Sequence, residues 1–125
     1  MKTDSNIKRV KVLGVGIDDV SLEEGLEIVG GWLPRHPGGR SPIGSFLVFT
    51  PGPEFLVTAQ KDPEFKKILN SADLNLPDGY GLKIFGGISI SNVVPGVEFM
   101  LALCKLAEEL GYTIGLLGGQ TGMAS

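Results

Sequence analysis

Asp78 stands between Pro77 and Gly79 in the segment Leu76-Pro77-Asp78-Gly79-Tyr80-Gly81, where a sharp turn projects a carboxylate just ahead of a short helical stretch. Such a carboxylate can take a proton from an attacking hydroxyl, or it can cap the helix by accepting the backbone N–H of Tyr80 or Gly81. The two uses compete, because an oxygen that already accepts N–H bonds is a weaker base. Three other segments carry related chemistry. Residues 16–19 hold two adjacent acids, Asp18 and Asp19, and Thr50-Pro51-Gly52-Pro53-Glu54 holds a hydroxyl and an acid. Gly118-Gly119-Gln120-Thr121-Gly122 is a glycine-rich turn whose N–H groups could cradle a phosphate. It lacks the lysine of a P-loop and the spacing of a dinucleotide fingerprint.

Asp18 and Asp19 are neighbours, not an Asp-x-Asp pair, and no His, Cys, Asp or Glu set has metal-ligand spacing. No structural metal is therefore expected, and no cofactor is assigned. Cys104, the single cysteine, has no histidine near it in sequence and is expected to be a small apolar residue on the inner side of a helix.

The elements that must position these residues alternate. A first strand is expected at residues 10–15. Ser21 with Glu24 three residues on marks a capped helix start, and Leu22, Leu26, Val29 and Leu33 follow at helical spacing. Gly25, Gly30 and Gly31 fall inside that helix and should each weaken it by about 1 kcal/mol relative to alanine. Residues 34–42 hold three prolines beside Arg35, His36 and Arg40 and form a surface loop.

Residues 46–49 form a buried strand that Thr50-Pro51-Gly52-Pro53 ends, with a helix at 53–60. Asp62 caps a second helix with Pro63 in its first position and Phe65, Ile68 and Leu69 on its apolar face. A short strand covers 73–76, a turn or two of helix 80–85, and a loop 86–95. Phe99, Leu103, Leu106 and Leu110 line one face of a helix that Gly111 ends, and residues 112–117 make a last buried strand.

This alternation predicts an α/β fold: a Rossmann-like, mostly parallel sheet flanked by helices and incomplete at the C-terminus, since no helix follows the last strand. In such sheets ligands bind beyond the carboxyl ends of the strands, so the four turns should share one edge.

Composition narrows the partners. The 125 residues suit one domain, 1–125, expected to be the N-terminal part of a longer protein. A net charge of −3 offers no footprint for nucleic acid. Residues 1–11 are polar and basic with no apolar run behind them, and no stretch reaches a membrane span, so a cytoplasmic protein is expected. The 19 glycines, against roughly 9 for an average chain of this length, cluster where apolar runs end.

Taken in order, Leu13-Gly14-Val15 with Ile17-Asp18, Thr50-Pro51-Gly52-Pro53-Glu54, Leu76-Pro77-Asp78-Gly79-Tyr80-Gly81, Val94-Pro95-Gly96 and Leu116-Leu117-Gly118-Gly119 resemble the WecG/TagA/CpsF glycosyltransferase family across nearly the whole chain. The resemblance implies an inverting, metal-independent transfer of N-acetylmannosamine, or a related sugar, from a UDP-sugar. The acceptor would be undecaprenyl-diphosphate-linked N-acetylglucosamine at the inner face of the cytoplasmic membrane, in teichoic acid or surface polysaccharide synthesis. It implies Asp78 as the general base and Thr50 beside it. Gly52, Glu54, Gly79, Gly81, Gly118, Gly119 and Gln120 fall in the matching blocks as substrate-binding positions.

Three positions, in two segments, depart from the family. Gly52 stands where the family usually has asparagine, and Asn92-Val93 replaces a Glu-Arg pair, removing an arginine that could bind phosphate. Family chains are also about twice as long. These departures motivate an alternative, a non-catalytic module that binds a UDP-sugar or lipid diphosphate. A dinucleotide-binding domain is a third reading, disfavoured because Gly14-Val15-Gly16-Ile17-Asp18-Asp19 lacks the third glycine of that fingerprint. An unfinished sheet would also leave an edge and an apolar face for a second subunit, so a homo-oligomer is expected.

Overall fold

The computed structural model describes residues 8–33, 45–79 and 90–118. Strands β1 (Arg9–Val12) and β2 (Val15–Asp18) pair antiparallel, from Arg9 opposite Asp18 to Val12 opposite Val15. The single strand expected at 10–15 is therefore a hairpin. Its two-residue turn places Leu13 at φ 51° and Gly14 at φ 82°, the double left-handed conformation that suits the twist of a hairpin. Leucine rarely adopts it, and side chains far along the chain hold it. Gln60 donates to the Leu13 carbonyl at 2.8 Å and Asn70 to that of Gly14 at 3.0 Å, while Asn70 Oδ1 accepts the Gly16 N–H at 2.8 Å.

Helix α1 (Leu22–Trp32) opens with the reciprocal Ser21–Glu24 capping box. Strands β3 (Val48–Phe49) and β4 (Leu74–Asn75) are parallel, with Val48 opposite Leu74 and Phe49 opposite Asn75. Helices α2 (Pro53–Lys61) and α3 (Pro63–Asn70) make the crossover between them. The Asp62 carboxylate caps α3 by accepting the Phe65 N–H, with Pro63 in the first position, as its sequence indicates. Helix α4 (Gly96–Leu110) follows Pro95 and ends at Gly111, which takes φ 79°.

Alternation along the strands sorts the core into two layers. Val48, Leu74 and Leu76 face α1 and α4, joining Val20, Ile28, Val94 and Phe99. Phe49 faces the other way, into a cluster of Val12, Val15, Ile17, Leu56, Ala59, Leu69 and Ile90 supplied by the hairpin, α2 and α3. The fold is mixed α/β, with helices on both faces of the parallel pair.

The N–H groups of Leu74 and Leu76 donate to Leu47 and Phe49 carbonyls. That of Asn75 points to the opposite edge, where the Asp18 carboxylate accepts it at 2.7 Å. Asp18 is buried and is gripped by Arg9, Nε to Oδ1 at 2.7 Å and Nη2 to Oδ2 at 2.8 Å.

Two further expectations fail. Residues 112–118 are not a strand and are largely exposed, Leu117 fully so, because no strand among the described residues pairs with them or covers them. Cys104 is exposed, since the inward line of α4 passes through Phe99 and Ala107, and Leu110 also lies outside it. Residues 34–42, 80–85, Gly81, Gly119 and Gln120 belong to expectations that lie wholly or largely outside the described residues. Among the described residues, no helix is long and apolar enough to cross a membrane.

Candidate active site

Two turns leave the carboxyl ends of the parallel strands and meet. Beyond β3 runs Thr50-Pro51-Gly52-Pro53, with Gly52 as the N-cap of α2, and beyond β4 runs Leu76-Pro77-Asp78-Gly79. A Cβ on Gly52 would stand 3.4 Å from the Asp78 carbonyl oxygen, and one on Gly79 would stand 3.9 Å from Pro53 Cδ. Pro51 and Pro77 are fully buried, which holds both turns rigidly against the layer beneath. Gly79 takes φ 98°, a conformation that leaves the Asp78 turn sharp.

The third wall is the start of α4. The Val94 N–H donates to the Pro77 carbonyl at 2.7 Å, tying the chain ahead of α4 to the Asp78 turn. Asp19 fixes the approach to that wall: its carboxylate accepts the N–H groups of Ser91 and Asn92 and the Asn92 side-chain amide, at 2.9 to 3.1 Å. A Cβ on Gly96 would lie 2.8 Å from Thr50 Oγ1 and 3.1 Å from Asp78 Oδ2. Hydroxyl and carboxylate therefore converge on one point at the head of a helix. Asp78 is half-buried, and no described residue donates a hydrogen bond to its carboxylate.

The partners of the helix-cap alternative, Tyr80 and Gly81, lie outside the described residues. Thr50 also lines an apolar cavity of about 440 Å³ with Val48, Phe49, Phe55 and Phe65.

The other sequence candidates divide. Gly52 and Gly79 shape the site, whereas Glu54 is exposed on the first turn of α2. Gly118 takes φ 104° on an exposed segment with no described atom within 4 Å of its Cβ position, so it is not joined to the Thr50–Asp78 pair. Asp18 and Asp19, expected to share the edge with Asp78, serve instead as internal ties. Asp18 pairs with Arg9, and Asp19 binds residues 91–92. The parallel arrangement that would have aligned them with Asp78 is absent from β1 and β2, which form a hairpin.

Hydrogen bonding to Asp18 raises the Arg9 pKa above its ordinary value, with burial opposing. Among the described residues, no three His, Cys, Asp or Glu side chains gather to hold a metal ion.

Sequence reasoning passed over Gly96 and Asn75. Gly96 was visible only as part of a motif, although a glycine in the first turn after proline signals close backbone approach. Asn75, fully buried, donates to the Gly16 and Leu69 carbonyls at 2.9 and 2.7 Å, and an asparagine inside an apolar strand is the corresponding signal.

No curated protein matches the sequence. The pattern of the Glycosyl transferase WecG/TagA/CpsF family matches residues 10–125, a span that contains all of the two strand pairs but Arg9, all four described helices and the Thr50–Asp78–Gly96 junction, and the chain belongs to that family.

Proposed function

We propose that the chain transfers N-acetylmannosamine, or a related N-acetylhexosamine, from a UDP-sugar to undecaprenyl-diphosphate-linked N-acetylglucosamine, with inversion and without a metal. Asp78 is the base and Thr50 lines the acceptor side of the pocket. The observation that carries this reading is the convergence of Thr50 Oγ1 and Asp78 Oδ2 within 3.1 Å of one point. Direct displacement at an anomeric carbon needs a carboxylate that takes the acceptor's hydroxyl proton as its oxygen bonds to the sugar. The bond to UDP breaks in the same step, and the nucleotide leaves with the electron pair.

Asp78 suits that role because no described donor occupies its oxygens. Gly52 and Gly79 line the approach. Gly81, Gly119 and Gln120 supply backbone or amide donors to the departing diphosphate. The chain works as part of a Rossmann-like sheet, in the cytoplasm at the inner face of the membrane, in teichoic acid or surface polysaccharide synthesis. A second copy covers its apolar face.

Incubation with UDP-N-acetylmannosamine and a lipid-diphosphate acceptor, beside an active longer homologue, tests the reading. Transfer that Asp78→Asn abolishes supports it. No transfer by this chain under conditions where the homologue works removes the catalytic claim.

One observation favours a second reading, a module that binds the nucleotide without turnover. Arg9, the one arginine among the described residues, is committed to Asp18, and no described cation approaches Asp78. Calorimetry separates the two: UDP binding without transfer supports the module.

A further inference from the structure

We infer that Gly96 is a positioning residue for the Thr50–Asp78 pair, the place where the backbone of α4 must come close enough to hold hydroxyl and carboxylate at working distance. The inference rests on the proposed roles of Thr50 and Asp78. An ideal Cβ at residue 96 would lie 2.8 Å from Thr50 Oγ1, 3.1 Å from Thr50 Cβ and 3.1 Å from Asp78 Oδ2. Carbon atoms do not approach an oxygen to 2.8 Å without displacement, so one side must give way.

The helix is the less able to do so. Val94, two residues earlier, is buried and bonded to the Pro77 carbonyl at 2.7 Å, and Phe99, one turn later, is buried. Phe99 in turn lies against Gly25 of α1, where a Cβ would meet its Cε1 at 3.0 Å. Pinned on both sides, α4 keeps its place and the two side chains move. Thr50 is branched at Cβ and follows directly on β3, which leaves it few rotamers to move into. Any side chain at 96 thus separates the hydroxyl from the carboxylate, and glycine keeps them together.

Other helix glycines of the chain have more room. At Gly30 and Gly31 no described atom lies within 4 Å of the Cβ position, and at Gly52 the nearest is 3.4 Å away. Gly30→Ala is therefore a matched control, a new methyl on a helix where no described atom meets it.

The experiment has two arms on the full chain. In the first, NMR follows the Thr50 methyl and the Asp78 side-chain carboxyl carbon in wild type, Gly96→Ala and Gly30→Ala. Displaced Thr50 and Asp78 signals in Gly96→Ala alone are expected, and unchanged signals in a folded Gly96→Ala overturn the inference. Should Gly96→Ala fold poorly, Gly96→Ala combined with Thr50→Ala removes the hydroxyl that the methyl strikes. Recovery of the melting temperature in the double variant supports the clash, and no recovery overturns it.

The second arm measures transfer: a fall in kcat of tenfold or more with the donor KM within twofold is expected for Gly96→Ala. A change confined to KM counts against positioning. If wild type shows no transfer, the proposed function fails while the NMR arm still decides the role of Gly96.

Discussion

The Asp18 carboxylate accepts the backbone N–H of Asn75 at 2.7 Å, on the edge of β4 that β3 leaves open. A side chain there does what a neighbouring strand's carbonyl does in a continuous ladder, and Arg9 holds it in place with two hydrogen bonds. Breaking a buried pair by removing one partner leaves an uncompensated charge. Arg9→Met should therefore lower unfolding free energy by about 2–3 kcal/mol, less than for a fully enclosed pair because the Arg9 side chain is 35% exposed. Denaturant titration measures it, and a loss below about 0.5 kcal/mol would show that water replaces the guanidinium.

The pH dependence of that contribution has a definite sign. Hydrogen bonding to Asp18 raises the Arg9 pKa, burial opposing. A folded-state pKa raised above the unfolded one gives stability that is fully present below the unfolded value and lost only as pH climbs through the folded value. For a guanidinium both lie above the working range, so the gap between wild type and Arg9→Met should stay constant from about pH 7 to pH 10. A gap that closes inside that window would assign the stabilisation to another group.

Asp78→Asn keeps the size of the side chain and removes its ability to take a proton. Its predicted effect is a fall in kcat of about 10²–10⁴-fold with an unchanged melting temperature. A kcat within about tenfold of wild type would remove the carboxylate from the role of base.

Three glycines of α1 should respond with different signs. Gly30→Ala and Gly31→Ala place methyl groups where no described atom lies within 4 Å, and each should stabilise by about 0.5–1 kcal/mol. Gly25→Ala drives a methyl to 3.0 Å from Phe99 and 3.5 Å from Leu76, and should destabilise by about 1–3 kcal/mol. Thermal melts of the three variants check this directly.

Gly52 takes φ −95°, open to any residue, as the N-cap of α2 with no side chain to serve as a cap. Gly52→Asn should stabilise by a few tenths of a kcal/mol, about the gain expected when asparagine replaces glycine at such a position. On the proposed function it should also tighten UDP binding, measured by calorimetry. Weaker binding would show that the added side chain obstructs the site.

Helix starts were legible because their signals are local: Ser21 with Glu24, and Asp62 with Pro63, each act within one turn. The hairpin was hidden because Leu13-Gly14 is not a usual turn pair, and it is held by Gln60 and Asn70, whose contribution no window around residue 13 contains. Residues 112–117 have the composition of a buried strand, but a strand's stability comes from neighbours that composition cannot supply. At the site, Thr50, Gly52, Asp78 and Gly79 could be named from turn chemistry. Their meeting with Gly96 could not, because it depends on how α4 packs through Phe99 onto α1.

The hydrogen bond from Val94 to the Pro77 carbonyl makes a buried amide sensitive to the turn that presents Asp78. That proton can exchange with solvent only when the turn and the head of α4 part. Val94 is thus an internal gauge: slowed deuterium uptake at this one amide on adding a nucleotide would report that the site has closed, in a chain of any catalytic competence.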